Sequence, residues 1–187
     1  PGIDTHDGYT FAIFAIATYQ APFMFVIKSA LSEVIFPDMV QRGKDDPRQG
    51  LRLWKRTNVI YFLFAGPMFV LLTFFADPLV RLMFTDRYAA AVPYFQVMGL
   101  FLLRQCFDFS TPLRSVGSTR PFVTGNLIGL VVNVGLSFAL IPYVGLWGPI
   151  IAVLLTQIWL SAYLARVVTK VFGVTAGDLM EWGKLLR

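Results

Sequence analysis

The sequence predicts an all-α membrane protein with five transmembrane helices. Three observations carry that expectation. Of 187 residues, 56% are hydrophobic and only 14% charged, against roughly a quarter charged in soluble domains. The apolar residues come in blocks long enough to cross about 30 Å of hydrocarbon, which takes about 20 helical residues. Lysine and arginine alternate in density between successive connections, as the positive-inside rule requires of a multi-pass chain.

The first expected span covers 8–36. A short polar loop follows with six basic residues: Arg42, Lys44, Arg48, Arg52, Lys55 and Arg56. The second span covers 59–75, and its connection, 76–88, holds Arg81 and Arg87, offset by Asp77 and Asp86. The third covers 89–109, with Arg104, Arg114 and Arg120 at its end and beyond. The fourth covers 122–143, and the turn after it has no basic residue. The fifth covers 148–168, and the tail holds Arg166, Lys170, Lys184 and Arg187. The connections after spans one, three and five are therefore expected in the cytoplasm, with the N-terminus outside. An N-out first helix normally follows an earlier span, so an upstream span is expected. Pro22, Pro67 and Pro149 lie in or beside spans, where neighbouring helices re-satisfy freed carbonyls. Residues 1–172 read as one transmembrane lobe. Residues 173–187 read as a tail or as an interfacial helix capped by Thr175, with Leu179, Trp182 and Leu186 on one face.

Composition excludes several classes. Cys106 is the one cysteine and His6 the one histidine, so no intrachain disulfide and no histidine cluster can form within this chain. The pI near 9.6 does not imply nucleic acid, because the basic residues flank apolar spans. Asp45-Asp46 sits between Lys44 and Pro47-Arg48 with no third ligand nearby, and reads as a solvated turn. No nucleophile-elbow, zinc-protease, redox-pair or phosphate-loop pattern is present. The expectation is a non-enzyme with no cofactor and no metal.

Ionisable and polar residues inside spans are the site candidates, because burying them in lipid is costly. Lys28 lies about 13 Å of helix before Pro37, within continuing apolar sequence. It either faces a cavity, where it suits an anionic phosphate, or snorkels to the surface. Gln20 falls within about 80° of it around the helix. Arg104 and Asp108, spaced i, i+4, read as an ion pair, or as a gate or substrate contact. Span four carries Gly125, Asn126, Gly129 and Asn133 on about 100° of arc; packing and substrate lining both fit. Gln157 and Ser161 form a similar pair on span five.

Several segments together resemble the polysaccharide-export branch of the MOP (multidrug/oligosaccharidyl-lipid/polysaccharide) superfamily. They are Ala30-Leu31-Ser32-Glu33-Val34-Ile35-Phe36-Pro37, then Gly66-Pro67 followed by Ala76-Asp77-Pro78-Leu79-Val80-Arg81 and Phe84-Thr85-Asp86-Arg87-Tyr88, then Gly117-Ser118-Thr119-Arg120-Pro121 and Ile141-Pro142-Tyr143-Val144-Gly145-Leu146-Trp147-Gly148-Pro149. The resemblance implies the second lobe of a two-lobe transporter, lacking its first helix. It also implies a flippase that moves undecaprenyl-diphosphate-linked oligosaccharide across a bacterial or archaeal cytoplasmic membrane by alternating access. Its partners would be the lipid-linked oligosaccharide, membrane lipids, an N-terminal lobe, and polysaccharide polymerase and glycosyltransferases. Substrate contacts are expected at Lys28, Gln20, Arg104, Asn126, Asn133 and Gln157. A cation antiporter of the same superfamily and a membrane-embedded glycosyl or lipid transferase are the alternatives.

Overall fold

The structure, a computed structural model, describes residues 5–17 and 22–180. Among these residues the regular secondary structure is helix, with no strand, as expected of an all-α membrane protein. Ten α-helices follow in order: α1 (Thr5–Ala17), α2 (Pro22–Asp45), α3 (Pro47–Phe74), α4 (Ala76–Phe84), α5 (Val92–Met98), α6 (Leu100–Arg104), α7 (Ser110–Ser115), α8 (Arg120–Val144), α9 (Trp147–Phe172) and α10 (Ala176–Met180). Of the described helices, α3, α8 and α9 are each long and apolar enough to cross a membrane.

Two expectations change. The basic stretch between the first two spans is helix, not loop: α2 runs on through Pro37 to Asp45, and α3 begins at Pro47. The residues from Met39 to Lys44 contain no proline to stop α2. Asp46 then makes the join, in an extended conformation (φ −147°, ψ 107°), with its carboxylate accepting from the Arg48 amide at 2.9 Å. Proline at the first position of the following helix suits that cap. The solvated turn expected at Asp45-Asp46 is thus an N-cap.

The third expected span, 89–109, is assembled from short pieces. A 3₁₀ segment covers Asp86–Ala91, Pro93 sits in the first turn of α5, and Gly99 joins α5 to α6 with a helical backbone. Beyond α6 the chain tightens to 3₁₀ over Gln105–Phe107 and unwinds at Asp108 (φ −81°, ψ 95°). Such local unwinding at membrane depth needs protein donors and acceptors in place of water.

Helix α8 packs along α9, and α2 along α3. One apolar core joins Ile13 and Ile16 of α1, Met24 of α2 and Tyr61, Ala65 and Leu72 of α3 to Val80, Phe95, Leu102 and Cys106. A second joins Met39, Leu51 and Trp54 at the α2–α3 end to Leu113, Leu164, Val168, Phe172 and Leu179. On α8 only Gly125 and Gly129 are buried, and Val131, Phe138 and Tyr143 point outward. An all-round apolar helix with so little protein around it fits contact with lipid or further protein.

At the C-terminus, Thr175 and Asp178 cap each other's turn. The Thr175 amide and hydroxyl donate to the Asp178 carboxylate at 2.9 and 2.8 Å, and the Asp178 amide donates to the Thr175 hydroxyl at 3.2 Å. This is the capping box logic with aspartate in the glutamate position. Leu179 is buried in the second core. Trp182 and Leu186 lie outside the described residues.

Candidate functional site

The Lys28 side chain turns into the helix cluster. Its ammonium donates to Asn58 Oδ1 at 3.1 Å and to the Gln105 carbonyl at 2.8 Å. It also lies 4.9 Å from the centroid of the Tyr61 ring, within cation–π range. The Tyr61 hydroxyl in turn donates to Gln105 Oε1 at 2.9 Å. Asn58 and Tyr61, three residues apart, share a face of α3 and are 1% and 0% exposed. Gln105 sits in the 3₁₀ turn just before the chain unwinds. A helix C-terminus leaves carbonyls without intrahelical donors, and Lys28 serves one of them. Snorkelling, the alternative reading of Lys28, does not describe these contacts.

The network is not saturated. An ammonium has three N–H bonds and an amide nitrogen two. Lys28 makes two hydrogen bonds, and the buried Asn58 Nδ2 has no partner. Both line a small cavity with Ser32, Thr57 and Thr111, of about 10 Å³. That volume is on the order of one water. In this conformation the site is a closed cluster of donors, too small for a phosphate group.

Arg104 and Asp108 do not form the expected pair. The i, i+4 geometry assumed one continuous helix, and the chain leaves that helix between them. Arg104 Nε donates instead to Ser161 Oγ on α9 at 3.2 Å. Asp108 accepts from the Ser110 amide at 3.1 Å through its carboxylate, and from Trp54 Nε1 at 3.2 Å through its carbonyl. Arg104 therefore ties the turn held by Lys28 to α9. Ser161, read from the sequence as a companion of Gln157, is its acceptor.

Asn126, Asn133 and Gln157 do come together. They line a groove of about 230 Å³ between α8 and α9, with Gly129, Val153, Thr156 and Leu160. The groove exists because the helices approach closely. A Cβ at Gly125 would stand 3.0 Å from Leu160 Cδ1, and one at Gly129 would stand 3.2 Å from Thr156 Cγ2. This is small-residue packing between membrane helices, so span four serves packing and groove lining at once. Asn126 Nδ2 is spent on the Phe122 carbonyl at 2.7 Å. Thr156 Oγ1 and Gln157 Oε1 are buried without a partner, an arrangement that costs free energy unless something binds there.

The site residues thus form two groups. Lys28 stands with Asn58, Tyr61 and Gln105; Asn126, Asn133 and Gln157 stand in the α8–α9 groove; Arg104 bridges toward the second. Gln20 lies outside the described residues. Sequence reading missed Asn58, Tyr61 and Gln105. Asn58 and Gln105 are polar residues at a span edge and inside a span, the same signal that singled out Lys28. Among the described residues no three His, Cys, Asp or Glu side chains gather as metal ligands.

Apolar helices of spanning length around buried polar clusters define a multi-pass α-helical membrane protein. A family model described as MatE matches residues 40–139, a little over half of the chain. The chain belongs to that family, which falls within the MOP superfamily and whose members are transporters. No curated protein and no solved structure gives a significant match.

Proposed function

We propose that this transporter is a flippase for lipid-linked oligosaccharide, moving an undecaprenyl-diphosphate-anchored glycan across a prokaryotic cytoplasmic membrane. The observation that carries the reading is the sign of the buried charge. The cluster holds the cations Lys28 and Arg104 beside the carboxylate Asp108, and the hydrogen-bond partners of the Lys28 ammonium are neutral oxygens. A cation with spare donors suits a diphosphate. Arg104, bonded to a serine hydroxyl, adds a second cation on the path to α9. The α8–α9 groove offers amide and hydroxyl groups of the kind that bind sugar hydroxyls. The closed cavity at Lys28 fits one stage of an alternating-access cycle, in which rocking against a partner lobe opens the cluster. The alternation of Lys and Arg supports an outside N-terminus and a cytoplasmic C-terminus.

The rival within the superfamily is a cation antiporter, which calls for an acid as the cation ligand. Asp108 is the carboxylate to consider; one of its oxygens accepts from the Ser110 amide, and it lies within electrostatic reach of the cations Lys28 and Arg104. Purified full-length protein in proteoliposomes separates the two. A flippase carries a fluorescent undecaprenyl-diphosphate oligosaccharide to the opposite leaflet, where an added glycosidase reaches it, and it does not exchange organic cations for protons or sodium. Cation exchange without glycan translocation overturns the flippase reading.

A further inference from the structure

Five of the six basic residues between the first two spans divide into two sets by what they touch. Arg48 donates to the Gly173 carbonyl at 3.0 Å, and Lys55 to the Asp178 carbonyl. These two hold the C-terminal turn and α10 against α3. Arg42, Arg52 and Arg56 do something else. With Gln49 and Leu53 they line a separate cavity of about 200 Å³. Gln49, Arg52 and Arg56 follow i, i+3, i+7 along one face of α3, and Arg42 reaches in from α2.

Topology explains the number of positive charges here but not their convergence from two helices on one hollow. Three exposed guanidiniums facing one cavity repel one another unless an anion joins them. Among the described side chains, two nearby carboxylates do not serve. Asp46 is the cap of α3. Asp38, placed i, i−4 to Arg42, makes no ion pair with it among the described residues. No side chain among the described residues accepts a hydrogen bond from Arg42, Arg52 or Arg56. At 1.5 Å per residue, Arg56 stands roughly 5 Å outside the first apolar residue of the second span, within a headgroup zone about 5–7 Å deep on each side. Arg52 stands roughly 10 Å out, a few ångströms beyond that zone, and its long side chain can reach back toward it.

We propose that this cavity binds a phosphate group at the membrane boundary, gripped by the guanidinium forks of Arg42, Arg52 and Arg56 and by the Gln49 amide. Two sources share that chemistry: the headgroup of an anionic phospholipid and free phosphate. The inference rests on the membrane reading alone and not on the identity of the cargo.

The test uses full-length protein in a neutral detergent, with thermal unfolding followed during titration with phosphatidylglycerol in mixed micelles and, separately, with inorganic phosphate. The triple variant Arg42→Gln, Arg52→Gln, Arg56→Gln is compared with Arg120→Gln, Arg166→Gln, Lys170→Gln, which removes the same charge elsewhere. All six positions are exposed, and the ligand-free melting temperature checks that both variants fold. The cavity triple is expected to need at least about 10-fold more phosphatidylglycerol for the same stabilisation than the control triple, since fork contacts are lost as well as charge. Arg52→Lys, which keeps the charge and loses the fork, is expected to fall between. Selective loss of the phosphate response instead, with phosphatidylglycerol inert, supports the same cavity and names free phosphate as the source. Equal loss in the two triples, or no stabilisation by either ligand, overturns the proposal.

Discussion

Replacing Gly148 by alanine tests the hairpin on which the polar groove depends. The added Cβ would meet the Ile141 amide nitrogen at 2.8 Å, the Leu140 carbonyl carbon at 3.0 Å and Ile141 Cα at 3.2 Å. Comfortable contacts between carbon atoms are about 3.5–4.0 Å, so the methyl group arrives roughly 0.7 Å too close. Its neighbours are main-chain atoms of α8, which cannot swing aside as a side-chain tip does. The start of α9 must back away from the end of α8 by most of that distance. Overpacking of this kind costs about 1–3 kcal/mol; 2 kcal/mol is roughly a 30-fold change in the folded-to-unfolded ratio. Gly135→Ala is the matched control. It sits mid-way along α8 with nothing within 4 Å of its Cβ, and a glycine-to-alanine change inside a helix is otherwise favourable by up to about 1 kcal/mol. Reversible unfolding of the full-length protein in detergent reads both. Gly148→Ala is expected to lose stability and Gly135→Ala to keep or gain it. Equal stabilities for the two variants would refute the tight α8–α9 turn.

Three further substitutions probe other links. Gln157→Leu removes a buried oxygen without a partner, so it is expected to raise stability by about 1 kcal/mol in thermal unfolding while lowering transport; a gain in both removes Gln157 from the cargo path. Asp46→Ala deletes the cap of α3 and is expected to cost about 1 kcal/mol, measured by the same unfolding assay. Asp178→Ala removes the acceptor that closes the turn at Thr175 and is expected to speed proteolytic cleavage after Gly173, with the transmembrane region left intact; an unchanged cleavage rate contradicts the docked α10.

Hydropathy and charge made the helical membrane class legible in the sequence, because spanning length and cytoplasmic positive charge are imposed by the bilayer itself. The extents of α8 and α9 follow closely from their apolar runs. The α2–α3 join did not, because polarity marks where a chain leaves lipid and not where a helix stops; the stop is set by Asp46 and Pro47. The interruption of the third span was hidden for a related reason. Pro93 and Gly99 are visible, but the unwinding at Asp108 depends on Lys28 and Trp54, which donate to the carbonyls of Gln105 and Asp108 from other helices. An i, i+4 pairing of Arg104 with Asp108 fails wherever the helix beneath it ends. Lys28, Asn126, Asn133 and Gln157 were readable as costly polar residues in apolar sequence. Their division into two groups was not, since that is a matter of which helices pack together.

The central claim is that Lys28 meets the anionic cargo, and export by full-length Lys28→Ala in cells tests it most directly. Tyr61→Phe serves as the companion, because it removes a hydrogen bond to Gln105 while leaving the ammonium in place. The account predicts that Lys28→Ala abolishes glycan export at unchanged protein abundance in the membrane, and that Tyr61→Phe retains it. Normal export by Lys28→Ala, or equal loss in both variants, contradicts it.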